Sequence, residues 1–182
     1  AVAAWKTSCE GDAPFTDIYI SDLSEERLNA CATRLQNLGA PVHPIHAAAA
    51  DAAEKMVSAV SGYALHFAFV DPYNLDTLDF RVIQALSRLK RIDLLIHLSA
   101  MDLQRNLSIN LAADDSAFDT FAPGWRDKVS TAGAQLEVRR RVVEYWRELV
   151  TNLGVWPSTE MKLITGSKKQ PLYWWECQNF CV

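Results

Sequence analysis

His66-Phe67-Ala68-Phe69-Val70-Asp71-Pro72-Tyr73-Asn74 is the stretch on which the fold reading turns. A run rich in β-favouring residues ends in an acid, a proline and an asparagine, which predicts a buried strand that stops in a stiff turn. Pro72 lacks an N–H and has a fixed φ, so the chain leaves the sheet abruptly and holds Asp71 and Tyr73 at the strand's carboxyl end. Downstream, the pattern predicts a helix over Leu78–Leu89, capped by Asp76 with Asp79 three residues on, and then an apolar strand over Ile92–Leu98. A helix over Met101–Asn110, an irregular stretch over Ala112–Thr131 and a long helix over Ala134–Leu153 follow. In the long helix Val142, Val143, Trp146, Leu149, Val150 and Leu153 form one apolar stripe, and Gly154 ends it. Two last β-favouring runs, Met161–Thr165 and Leu172–Cys177, are joined by the hairpin-length link Gly166-Ser167-Lys168-Lys169-Gln170-Pro171.

Upstream the same alternation holds. Asp17–Ile20 reads as a short strand, and Ser24–Leu38 as a helix with Ser24 as N-cap and Gly39 as its stop. Val42–His46 reads as a weak strand broken by Pro44, and Ala49–Val60 as a helix. Alternating β and α elements imply a mostly parallel α/β sheet with helices on both faces, and the closing hairpin adds an antiparallel strand.

The chain has 182 residues, 49% hydrophobic and 22% charged, with a net charge of −4. That is the size and composition of a single globular domain spanning residues 1–182, and it excludes a disordered acidic chain. The longest apolar runs, Ala64–Val70 and Leu94–Leu98, are too short for a membrane span of about 20 residues. A mildly acidic chain has no bulk positive field for nucleic acid, so such a partner is met locally. Cys9, Cys31, Cys177 and Cys181 lack C-x-x-C spacing and read as reduced thiols of a cytoplasmic protein. His43, His46, His66 and His97 share no metal-ligand spacing, so no metal site is expected.

In open α/β sheets ligands bind beyond the carboxyl ends of the strands, where this chain places Asp22, Asp51, Asp71 and Ser99. Asp22 follows its strand where a nucleotide fold puts an acid to accept from both ribose hydroxyls; it is equally a capping residue for the next helix. Asp51 is either a first-turn acid favoured by the helix dipole or, with Ala52, an adenine contact. Asp71, Pro72, Tyr73 and Asn74 together suit a planar, amine-bearing substrate, which the acid engages by hydrogen bonding and the ring by stacking. The same residue types also build ordinary strand-to-helix turns. Arg139, Arg140, Arg141 and Arg147 read as a solvated helix face or a phosphate-contacting patch, and Asp102 with Arg105 as an ion pair on one helix face or, being on the ligand edge, as substrate contacts. Trp174 and Trp175 point to opposite faces of the last strand.

The order of these elements resembles class I S-adenosylmethionine-dependent methyltransferases. More narrowly, Phe67-Ala68-Phe69-Val70-Asp71-Pro72-Tyr73-Asn74, Ile92-Asp93-Leu94-Leu95-Ile96 and Met101-Asp102-Leu103-Gln104-Arg105-Asn106 resemble the three-Cys-motif partner protein family. Val142-Val143-Glu144-Tyr145-Trp146 and Pro171-Leu172-Tyr173-Trp174 fit the same pattern, so the resemblance runs from Asp17 to Trp174. It implies a Rossmann-like methyltransferase sheet, S-adenosylmethionine as cofactor, and a partner carrying a three-cysteine motif. It further implies methyl transfer to an acceptor for which nucleic acid is a candidate, with Asp71, Pro72, Tyr73 and Asn74 at the acceptor and Asp22, Asp51 and Ala52 at the cofactor. The other implied role is a non-catalytic partner subunit that keeps the fold. Methyltransferases of this class bind the methionine moiety on a Gly-rich loop after the first strand, and this chain has seven glycines with none in a G-x-G arrangement. The resemblance therefore carries the expectation that the first strand and its loop precede Ala1, leaving a fragment without the central strand of its sheet. The turn itself is Asp-Pro-Tyr where amine-directed methyltransferases carry an Asp-Pro-Pro-Tyr type.

Overall fold

The computed structural model describes residues 1–158, together with the backbone of 162–165 and 171–179. The chain forms two compact units, Ala1–Ala59 and Val60 onward. No helix among the described residues is long and apolar enough to cross a membrane.

The first unit contains α1 (Val2–Glu10), β1 (Ile18–Asp22), α2 (Glu25–Gln36), β2 (Val42–His46) and α3 (Ala49–Ala59). β1 and β2 pair in parallel, from Ile18 opposite Val42 to Asp22 opposite His46. Pro44 sits inside β2 because β2 has one strand partner among the described residues, so a residue without an N–H is tolerated on its open side. Ser24 caps α2, its hydroxyl accepting from the Arg27 N–H at 3.3 Å, and Gly39 at φ +74° turns the chain toward β2. α1 has no counterpart in the sequence reading. Its anchor is Trp5, which is buried with Leu35 and Ala40 and donates its indole N–H to the Leu38 carbonyl at 3.1 Å.

The second unit contains β3 (His66–Val70), α4 (Phe80–Leu86), β4 (Ile92–Leu98), α5 (Ala100–Ala112), α6 (Ala117–Phe121), α7 (Trp125–Lys128) and α8 (Gln135–Thr151). It closes with β5 (Trp156–Pro157), β6 (Lys162–Thr165) and β7 (Pro171–Asn179). β3 runs parallel to β4, β4 pairs antiparallel with β7, and β5 and β6 both pair antiparallel with β7. The expected antiparallel strand is therefore present, directly against β4. The link over residues 166–170 and the side chains of Trp174, Trp175, Cys177 and Cys181 lie outside the described residues.

The fold is mixed α/β; among the described residues parallel pairing is confined to β1–β2 and β3–β4 instead of one continuous, mostly parallel sheet. Three further expectations are corrected. Among the described residues β3 is an edge strand, and Phe67 and Phe69 remain 50% and 47% exposed, so it is not a buried strand. Asp79, not Asp76, caps α4, its carboxylate accepting from the Arg81 N–H at 2.9 Å; the preceding residues are held in a turn in which Leu75 and Leu78 are buried. Residues 112–131 are not irregular throughout: Ser116 and Asp119 form a reciprocal capping box that starts α6, and Gly124 at φ +80° starts α7.

The core of this unit is mostly aliphatic, with an aromatic cluster on α6, α7 and α8. Phe121 stacks on Trp146 of α8 with ring centroids 5.4 Å apart, and Phe118 meets Trp125 edge-on, also at 5.4 Å. The α8 stripe of Val138, Val142, Val143, Trp146 and Val150 is buried, whereas Leu149 and Leu153 are half-buried.

Candidate functional site

Asp71 and His97 lie one step past the last laddered pair of β3 and β4, Val70 opposite Ile96, and keep the same offset of 26 residues. Opposed residues on paired strands point to one face, so the two side chains meet: His97 Nδ1 lies 2.6 Å from Asp71 Oδ1. An ionised carboxylate can only accept, so His97 Nδ1 carries the hydrogen and donates. The His97 side chain is 17% exposed and that of Asp71 55%, so a largely buried ring holds a carboxylate that reaches solvent.

The rest of the turn is pinned from both ends. Asn74 Oδ1 accepts from the Thr77 N–H at 3.0 Å, and the Thr77 hydroxyl donates to the Asn74 carbonyl at 2.9 Å, a local Asx turn. The next residue, Leu75, donates its N–H to Asp102 Oδ2 at 2.9 Å. Ser99 caps α5 by accepting from the Asp102 N–H at 3.2 Å. Asp102 Oδ1 accepts from the Asn106 amide at 2.7 Å, so the expected pair with Arg105 is replaced by a bridge between α5 and the turn. Pro72 is half-buried, and Tyr73 is 94% exposed. The structure thus brings Asp71, Pro72, Tyr73 and Asn74 together at the carboxyl end of a parallel strand pair.

The proposed cofactor residues all belong to the first unit. Asp22 ends β1, and its carboxylate accepts from the Arg27 guanidinium at 2.8 to 3.3 Å and from the Ser24 N–H at 2.7 Å. The Arg27 guanidinium, followed by the Ser24 N–H, holds the Asp22 carboxyl below the usual carboxylate range. Asp51 is exposed in the first turn of α3. Ala52 is 1% exposed and its N–H donates to the Ala48 carbonyl at 2.8 Å, so its side chain is a packing group of this unit.

A ribose diol requires a carboxylate with lone pairs to spare. Asp22 Oδ2 accepts only the Arg27 Nε, at 3.1 Å, among the described residues. The Arg27 side chain is 72% exposed, so water screens the pair and the guanidinium can turn aside. Asp22 thus keeps lone-pair capacity beyond its bonds to Arg27 and Ser24.

Three of the four arginines of α8 are committed within the chain. Arg140 bridges Glu137 and Glu144, Arg141 donates to the carbonyls of Ser130 and Ala132, and Arg147 donates to the Ser158 carbonyl. A concavity of about 380 Å³ beside α8 is lined by Lys128, Arg141, Glu144, Tyr145 and Glu148 among others, and by none of the predicted site residues. The other histidines each face a local partner: His43 the Asp17 carboxylate, His46 the Leu23 carbonyl and His66 the Ser61 carbonyl. No group of three or more His, Cys, Asp or Glu side chains among the described residues is placed to hold a metal ion.

His97 is the residue of this site that sequence reasoning missed; Asp102 is expected on the ligand edge, but its bond to the Leu75 N–H is not. The only signal for His97 is the register of β3 against β4, and for Asp102 its place in the first turn after a Ser cap, facing a buried N–H. No family model matches the chain, and no curated protein is significantly similar to it.

Proposed function

We propose that the protein is a Rossmann-like, S-adenosylmethionine-dependent methyltransferase acting on a planar, amine-bearing acceptor, a nucleobase of a nucleic acid. The observation that carries this reading is Asp71. One oxygen is fixed by His97, while the other has no protein hydrogen bond among the described residues, next to an exposed Tyr73 ring at the carboxyl end of β3. An acceptor amine donates to the second oxygen, which orients its nitrogen, and the Tyr73 ring supplies a stacking surface of about 1–3 kcal/mol per base. The cofactor supplies an electrophilic methyl group on a sulfonium. Within the first unit, Asp22 is the candidate contact to its ribose hydroxyls and Asp51 the candidate contact to its adenine. The resemblance of Phe67–Asn74, Ile92–Ile96 and Met101–Asn106 to the three-Cys-motif partner proteins supports the same reading and suggests a three-Cys-motif protein as partner.

Calorimetry tests the cofactor half of this reading. The charge-assisted bonds to ribose are worth about 1.5–3 kcal/mol, so Asp22→Ala should weaken S-adenosylmethionine binding by roughly 10- to 150-fold. Equal affinity in the parent and the variant would leave Asp22 as a capping residue only.

A second reading, a non-catalytic partner subunit, rests on the β3 stretch. Tyr63, Leu65, Phe67 and Phe69 are 91%, 84%, 50% and 47% exposed, a run of apolar surface of the kind that marks protein contacts. This reading predicts partner binding that Leu65→Ser weakens, in a protein without transferase activity.

A further inference from the structure

We propose that His97 is the positioning residue of the acceptor site: through its Nδ1–H it engages one oxygen of Asp71, leaves the other to the acceptor and holds that carboxylate still. The inference rests on the methyltransferase reading above and adds to it a residue outside the turn.

Asp71 follows the last laddered residue of an edge strand and its side chain is 55% exposed, so without a partner its carboxylate would sample several rotamers. Among the described residues its one hydrogen-bond partner is His97. That partner is the rigid member of the pair. His97 lies within β4, which is flanked by β3 on one side and β7 on the other, and its side chain is 17% exposed. The 2.6 Å contact engages Oδ1, so Oδ2 is the oxygen left to accept from the acceptor. Pro72 restrains the backbone on the other side of Asp71, so backbone and side chain are both fixed. Small misplacements of a reacting nitrogen cost on the order of 100-fold in rate, which is the scale on which such a restraint acts.

Three variants separate positioning from mere packing: His97→Ala removes the donor, His97→Asn places an amide N–H close to the Nδ1 position, and His97→Gln places one farther out, near Nε2. Transfer from tritium-labelled S-adenosylmethionine to total cellular RNA, with DNA and protein pools as parallel arms, gives kcat and the half-saturating acceptor concentration for each protein. Thermal unfolding checks each fold. His97→Ala and His97→Gln are expected to lose 10- to 100-fold in kcat, with cofactor affinity by calorimetry within about twofold of the parent, while His97→Asn recovers most of the rate. If His97→Ala does not fold, the Asn and Gln variants decide between themselves. His97→Ala with parental kcat, or His97→Asn no faster than His97→Gln, overturns the inference alone. A parent that transfers no methyl group to any pool overturns the methyltransferase reading and this inference with it.

Discussion

Asp102, in the first turn of α5, accepts a hydrogen bond from the backbone N–H of Leu75, 27 residues earlier, at 2.9 Å. Leu75 is 2% exposed, so this carboxylate satisfies a backbone donor that water does not reach, and it ties the end of the Asp71–Asn74 turn to the helix that follows β4.

Removing that acceptor strands the Leu75 N–H. Asp102→Ala should cost about 1–3 kcal/mol, the penalty of one buried unpaired donor. Asp102→Asn keeps a carbonyl oxygen for Leu75 and lets the Asn106 amide turn to meet the new NH₂, so it should cost much less. Urea unfolding of the two variants measures the difference, and equal losses would show that charge, not the acceptor, matters here.

Much of the fold was legible in the sequence, and the residues show where legibility stopped. Strands β2, β3 and β4 and the cap of α2 at Ser24 follow from local chemistry, and they stand where the spacing puts them. The antiparallel closure by β7 was legible too, because a late β-favouring pair with a short polar link has few other ways to pack. The size of each sheet was not legible, since pairing partners are chosen by tertiary contacts that no local pattern records. α1 was missed because its reason for being is a long-range bond from Trp5 to Leu38. α6 and α7 were read as irregular although Ser116-x-x-Asp119 and Gly124 mark both starts. At the site, the turn was legible from Pro72 and its neighbours. The Asp71–His97 pair was not, because it depends on an offset of 26 residues that only strand register sets.

Asp119 ties Ser116, Trp125 and Arg126 together around α6 and α7. Burial alone pushes its carboxyl up, but hydrogen bonds from Arg126, the Ser116 N–H and hydroxyl and the Trp125 indole outweigh that and hold it below the usual range. A folded value below the unfolded one gives stability that is complete above the ordinary Asp value of about 3.9 and is lost as pH falls through the lower folded value. The parent's Tm should therefore fall more steeply below about pH 4 than that of Asp119→Asn, which lacks this titration. Parallel profiles from scanning calorimetry would contradict the assignment.

Gly124 carries φ +80°, and a Cβ there would lie 3.1 Å from the Tyr145 hydroxyl, which donates to the Pro123 carbonyl at 2.8 Å. Gly124→Ala should cost about 1–2 kcal/mol for the left-handed backbone, and more if the Tyr145 bond is displaced. For a chain of this size that lowers Tm by roughly 2–8 °C. In the double variant with Tyr145→Phe, the part of the loss due to the crowded hydroxyl should no longer add.

Tyr73 offers its ring to solvent and makes no side-chain hydrogen bond among the described residues, so Tyr73→Ala should leave stability within about 0.5 kcal/mol of the parent. The same substitution should weaken acceptor binding by about 1–3 kcal/mol if a base stacks there. Thermal unfolding and RNA titration on one preparation read both effects, and a large loss of stability would assign the ring to packing.

The central claim is that Asp71 orients a methyl acceptor. The most direct measurement is radiolabelled methyl incorporation into cellular RNA, DNA and protein by the parent and by Asp71→Ala, each checked for folding, with a three-Cys-motif protein present. The account predicts incorporation into nucleic acid by the parent and loss of most of it in Asp71→Ala, with S-adenosylmethionine affinity nearly unchanged. A parent that binds S-adenosylmethionine yet labels none of the three pools, or an Asp71→Ala protein as active as the parent, would contradict it.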